Sequence, residues 1–199
     1  MSKILKQLKI VGLILLLALT LQSNSAIVYA GEKSNVGGDF TLTDHNGKKF
    51  ELQQLRGKLV LIFFGYTFCP DICPTELSSL AKVLRSLGDD AEKVSVLFIS
   101  VDPERDTPDK LKNYVPFFSP NLIGLTGSES EISAVADAYR VQTKIHSMKK
   151  DSEYYLVDHS ANLYVLGADG KMLNIIPFGL PTEHILQVVK NEINNLNKL

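Results

Sequence analysis

The chain predicts an α/β fold, with a mixed central sheet flanked by helices and an N-terminal β-hairpin. Three observations predict it. Two nearly continuous apolar runs, 58–64 and 94–101, read as strands buried on both faces. Amphipathic stretches follow each run, and strands that alternate with helices imply parallel pairing covered by those helices. Two turn signals, Asn46-Gly47 and Asp169-Gly170, join short segments and add antiparallel hairpins.

The elements follow in order. Residues 40–43 and 49–52 alternate polar and apolar around Asp44-His45-Asn46-Gly47, a hairpin whose tip exposes His45. The run 58–64 is the first buried strand, and the segment GYTFCPDICP follows it at 65–74. An amphipathic helix then runs to Leu87, with Pro74 at its first position, Glu76 in its first turn and Gly88 as its stop. The second buried strand, 94–101, leads through Asp102-Pro103-Glu104-Arg105-Asp106-Thr107 into a helix at 108–117. A short strand at 122–125 precedes a helix at 128–140, where Ser128 and Glu131 form a capping box. A strand is expected at 141–146, a polar loop at 148–153, and strands at 163–166 and 172–176. The last helix, 181–196, turns Ile185, Leu186, Val189 and Ile193 to one side. This order is compatible with a thioredoxin-like fold.

A length of 199 residues with 45% apolar and 22% charged residues suits one folded domain with an appendage, and excludes wholesale disorder. The net charge of −1 argues against a dedicated nucleic-acid binder, which would show a basic stripe. The charge is uneven. Residues 1–30 hold Lys3, Lys6 and Lys9 and no acid, which leaves the rest with 18 basic against 22 acidic residues. An apolar run from Ile10 to Leu21 and a small-residue end at Ala30 complete the pattern of an export signal. As a helix that run spans about 18 Å, short of the roughly 30 Å hydrocarbon core, so a cleaved signal is favoured over an N-terminal membrane anchor. Residues 31–38 read as a linker and 39–199 as the folded domain, exported to the periplasm or the outer face of the inner membrane.

The two cysteines cannot build a disulfide framework or a four-cysteine zinc site. A domain this long buries about 70% of its unfolded surface without staples. The pair therefore invites a chemical explanation. Cys69 and Cys73 enclose Pro70-Asp71-Ile72 just past a buried strand and at a helix start. Ligands of α/β sheets bind beyond the carboxyl ends of strands, and helix N-terminal N–H groups stabilise thiolates. Pro70 keeps Cys69 out of helical conformation. A simple small-loop disulfide is the structural alternative.

Two thiolates call for a third ligand. Among the four histidines, His184 reads as a surface or capping residue and His146 borders the polar loop. His159, in Val157-Asp158-His159-Ser160, precedes a strand that packs near the sheet centre, so its loop faces the cysteines. Two thiolates and an imidazole suit copper(I), tolerate copper(II), and with a water could hold zinc. Asp158 is either an orienting carboxylate for His159 or a local turn contact. Met148 and Met172 offer thioether sulfur to copper, Met172 from a core strand position and Met148 from the polar loop.

Three strings, GYTFCPDICP at 65–74, VDPERDT at 101–107 and DHS at 158–160, resemble in order the motifs of the Sco/SenC family of copper-binding, membrane-associated proteins that assist cytochrome c oxidase assembly. The likeness runs from about residue 40 to 196. It implies a thioredoxin-like fold and copper held by Cys69, Cys73 and His159. It implies a metallochaperone acting at the binuclear copper centre of the oxidase. Its partners would be the copper-site subunit and other copper chaperones, with the chain itself a monomer. Phe68 stands where many relatives carry histidine, and the short anchor is a second departure.

The alternative is a thiol–disulfide oxidoreductase in which Cys69 and Cys73 are the redox pair and keep the oxidase cysteines reduced. Against it stand the three-residue spacer and the lack of any proline between Pro120 and Pro177 to face the cysteines. Asp158-His159-Ser160 takes that place. A thiol peroxidase, with Arg105 or Arg140 beside the thiolate, is a third reading. Asp102, Arg105 and Asp106 read as an exposed turn closed by a weak ion pair, or as a docking edge.

Overall fold

The computed structural model describes residues 36–147 and 155–196. The export signal, most of the linker, and the 148–153 loop with Met148 lie outside them. Among the described residues there are nine strands, β1 (Thr41–Asp44), β2 (Lys49–Glu51), β3 (Leu59–Gly65), β4 (Val94–Ser100), β5 (Leu122–Thr126), β6 (Thr143–Ser147), β7 (Tyr155–His159), β8 (Leu163–Leu166) and β9 (Met172–Ile176). The helices are α1 (Ile72–Leu87), α2 (Pro108–Tyr114), α3 (Glu129–Ala138) and α4 (Thr182–Leu196).

Seven strands form one mixed sheet in the order β2-β1-β5-β4-β3-β8-β9. Its centre, β3, β4 and β5, is parallel, and the N-terminal hairpin and β8–β9 add antiparallel flanks. Every residue of β3 and β4 is buried, as the unbroken apolar runs require. Side chains alternate across the sheet, so β3 feeds two cores. Leu59, Leu61 and Phe63 pack with α1, α2 and α4, while Val60, Ile62 and Phe64 pack with α3 and the first hairpin. The parallel strands end together at Gly65 and Ser100, and the chain turns there into α1 and the 101–107 segment. The predicted thioredoxin-like α/β architecture is thus found.

The local differences have physical causes. α1 begins at Ile72, two residues before Pro74. Pro74 is tolerated there because the first four helical N–H groups have no intrahelical partner. The predicted helix 108–117 stops at Tyr114 and finishes as a 3-10 turn, Val115–Phe117, because Pro116 lacks the N–H that an α-helix continues with. The capping box of Ser128 and Glu131 forms, with Glu131 accepting from the Ser128 N–H at 2.7 Å. β7 stands where a loop was expected. It pairs with β6 in a separate two-stranded sheet, with Thr143 opposite His159 and Ser147 opposite Tyr155. Among the described residues, no helix is long and apolar enough to cross a membrane.

Candidate metal centre

The site assembles at the carboxyl end of β3. Gly65 closes that strand, and only a hydrogen fits there. A Cβ built on it would lie 2.7 Å from Cys73 Sγ and 2.7 Å from a Phe98 ring carbon. The chain then turns at Tyr66, whose carbonyl accepts from the Cys69 N–H at 3.3 Å. Cys69 stays in the loop, half-buried, while Cys73 falls in the first turn of α1 and is fully buried. The Cys73 N–H donates to Cys69 Sγ at 3.5 Å, which directs a helix N-terminal dipole at that sulfur.

His159 reaches the pair from the far end of β7. Its Nε2 lies 3.4 Å from Cys73 Sγ. Its Nδ1 lies 3.1 Å from the Ser160 carbonyl. A carbonyl only accepts, so Nδ1 carries the proton and Nε2 presents its lone pair to the sulfurs. Phe63 and Tyr66 flank the imidazole edge-on at 6.2 and 6.0 Å between ring centres. The ligand atoms of Cys69, Cys73 and His159 all lie within 4.8 Å of one another. Two sulfurs and one imidazole nitrogen at that spacing fit a soft, low-coordinate ion.

The cysteines are unequal. The hydrogen bond between them holds the Cys69 thiol well below the ordinary thiol range; burial opposes this, and the Cys73 N–H assists it. The same hydrogen bond, then burial, pushes Cys73 up. The proton therefore leaves the accessible sulfur first and stays on the buried one.

Several expectations are corrected here. Asp158 neither orients His159 nor makes a turn contact. It sits on the opposite face of β7, 2.6 Å from His146 Nε2. His45 is half-buried, not exposed, because its Nδ1 accepts from the Gly124 N–H at 3.1 Å. Arg140 is exposed, in left-handed backbone at the end of α3. Met172 packs against the core on the α3 side of the sheet.

The largest correction concerns the exposure of 101–107: the expected turn is closed by the local Arg105–Asp102 ion pair, but both of its aspartates are buried. Asp106 is 0% exposed. Its carboxylate accepts from the Thr67 N–H at 2.9 Å, the Thr67 hydroxyl at 2.6 Å and the Ser100 hydroxyl at 2.7 Å. It thereby ties the cysteine loop to the end of β4. Asp102 is 4% exposed and accepts from Arg105 Nε at 2.5 Å and from the Tyr155 hydroxyl at 2.6 Å. Tyr66 and Tyr155 were not singled out in the sequence. Tyr66 lies in a loop and carries no periodic signal, Tyr155 opens a strand whose period is weak, and both act through contacts distant in the chain.

A dithiol–imidazole cluster at the strand ends of a thioredoxin-like sheet defines a metal-binding member of that fold class. The chain belongs to the SCO1/SenC family, whose model matches residues 29–194. A SCO2-like protein of Rickettsia prowazekii is 38% identical over 161 residues, which is 81% of this chain and 78% of that one. The structure of Bradyrhizobium japonicum ScoI with copper bound is 44% identical, covers 79% of this chain and 99% of that one, and superposes with a TM-score of 0.72. BsSco, a member of the Sco family of cytochrome c oxidase assembly proteins with an identified disulfide switch, is 28% identical, covers 79% and 92% of the two chains, and gives a TM-score of 0.59.

Proposed function

We propose that this protein is a copper-binding metallochaperone that assists assembly of the binuclear copper centre of cytochrome c oxidase, with copper as cargo on Cys69, Cys73 and His159. The observation that carries this is the convergence of those three donors within 4.8 Å. The copper-bound and oxidase-assembly relatives support it. Cys69 is half-exposed, so an incoming thiol or imidazole of the oxidase subunit meets it before the buried Cys73. Donor exchange begins there and proceeds one ligand at a time. Residues 1–30 act as export signal or anchor and 31–38 as linker, which places the 39–199 domain in the periplasm or on the outer face of the inner membrane, as a monomer that other copper chaperones load.

The test is copper stoichiometry and the visible spectrum of the copper(II) form, wild type against His159→Ala. One copper per chain and loss of most visible colour in the variant are expected. Unchanged affinity and colour in His159→Ala would refute the ligand set.

A second reading is favoured by the inequality of the cysteines. The Cys69 thiolate attacks a disulfide of the oxidase subunit, forms a mixed disulfide and expels one target thiolate. Cys73 then gives up its proton and attacks the Cys69 sulfur, which expels the second target thiolate and leaves a Cys69–Cys73 disulfide. Two electrons pass to the target, and an external thiol reductant resets the pair. A Cys73→Ser variant should trap the mixed disulfide; no trapped adduct would exclude this role.

A further inference from the structure

Among the described residues, the two strands of the hairpin that carries His159 form a sheet of their own, apart from the main sheet. A two-stranded hairpin is marginal on its own. The imidazole is therefore positioned by whatever fastens that hairpin to the cysteine loop. Three ties do so. The Val157 N–H donates to the Tyr66 hydroxyl oxygen at 3.3 Å. Arg105 Nη1 donates to the Tyr155 carbonyl at 3.0 Å, and the Tyr155 hydroxyl donates to Asp102 at 2.6 Å. Two of the three converge on Tyr155.

Arg105 makes Tyr155 more than a local contact. Its guanidinium carbon lies 3.5 Å from the Tyr155 ring centre, 5.0 Å from that of Phe68 and 5.7 Å from that of Tyr66. One cation thus spans the hairpin and the segment that carries Cys69. Asp102 accepts from both Arg105 and Tyr155, which holds the ring and the guanidinium face to face. Tyr155, Val157 and His159 lie on one face of β7, and five ladder pairs with β6 stiffen the strand between them. A shift at the Tyr155 end is carried to the His159 end.

We propose that Tyr155, seated on Asp102 and Arg105, is a positioning residue for the metal centre, holding the hairpin so that His159 stays in reach of Cys69 and Cys73. The inference rests on the three-donor reading above and names what keeps its third donor in place.

The test is a double-mutant comparison on the full-length protein, with copper(II) affinity measured against a competing chelator and imidazole coordination read by electron paramagnetic resonance. Tyr155→Ala should weaken binding roughly 10- to 100-fold, the range for residues that orient a ligand, and diminish the imidazole signal. Tyr155→Phe keeps the stacked ring and should lose less. In a His159→Ala background neither substitution should weaken binding further. Wild-type affinity and signal in Tyr155→Ala would overturn the proposal, as would an equal loss in both backgrounds, since the effect would then not pass through His159. If Tyr155→Ala does not fold, Tyr155→Phe and Arg105→Lys decide, because lysine cannot stack and donate in the same plane; wild-type affinity in both overturns the proposal. Unchanged affinity in His159→Ala alone would instead remove the three-donor reading and this inference with it.

Discussion

Replacing Asp106 with alanine removes one acceptor that three donors share at the base of the metal loop. The Thr67 N–H would lose its acceptor in a part-buried site, at a cost of about 1–3 kcal/mol. The Thr67 and Ser100 hydroxyls can rotate to other acceptors but each gives up a charge-assisted bond, about 1 kcal/mol apiece. Relief of the buried carboxylate offsets part of this, since burial raises the Asp106 pKa against the pull of those same hydrogen bonds. The net expectation is a loss of about 2–4 kcal/mol in urea unfolding. Asparagine behaves differently. Its Oδ1 can take the Thr67 N–H and the Ser100 hydroxyl, and its Nδ2 can donate to Thr67 Oγ1, so all three contacts at 2.9, 2.7 and 2.6 Å survive in changed polarity. Asp106→Asn should therefore keep most of the stability and copper binding that Asp106→Ala loses. An alanine variant within about 0.5 kcal/mol of wild type, or an asparagine variant as damaged as alanine, would refute the role assigned to this carboxylate.

Other consequences are open to direct measurement. Gly65→Ala pushes a methyl into Cys73 Sγ and Phe98, each 2.7 Å away, and should cost about 1–3 kcal/mol and weaken copper binding together; an unchanged melting temperature would show that the strand end is not closely packed. Burial raises Glu76 from 4.5 to about 7, so its stabilising contribution is present below pH 4.5 and is lost as pH rises through about 7. Glu76→Gln should thus be more stable than wild type at pH 8, by about 3 kcal/mol at most, with no gain at pH 4.5; a pH-independent difference would contradict the assignment. Iodoacetamide should label Cys69 well before Cys73 and at a rate that changes little from pH 8 to pH 6, as the peptide masses will report; first labelling at Cys73 would reverse the assigned roles of the two sulfurs.

The elements built on strong period were legible in the sequence. β3 and β4 stand out because both faces are apolar, and the α3 capping box announces its own start. The cysteine loop was legible too, because strand end, proline and helix start are local signals. His159 was placed correctly against the cysteines but on the wrong element. β7 alternates Tyr155 and Val157 inward with Leu156 and Asp158 outward, and the exposed Leu156 and the half-buried His159 blur that period. The 101–107 segment was misread for a different reason. Its charges look solvated in sequence, yet Asp102 and Asp106 are buried, because beside their local partners Arg105 and Ser100 they are covered by Tyr155 and Thr67, 53 and 39 residues away. No window along the chain reports such pairings, and only the assembled fold brings the acceptors to their donors.

The central claim is that two sulfurs and one imidazole hold the copper. X-ray absorption at the copper edge of the loaded protein tests it without reference to activity. The account predicts two sulfur scatterers and one imidazole in the first shell, with the imidazole gone in His159→Ala and the sulfurs retained. A shell with fewer than two sulfurs, or an imidazole that persists in His159→Ala, would contradict it.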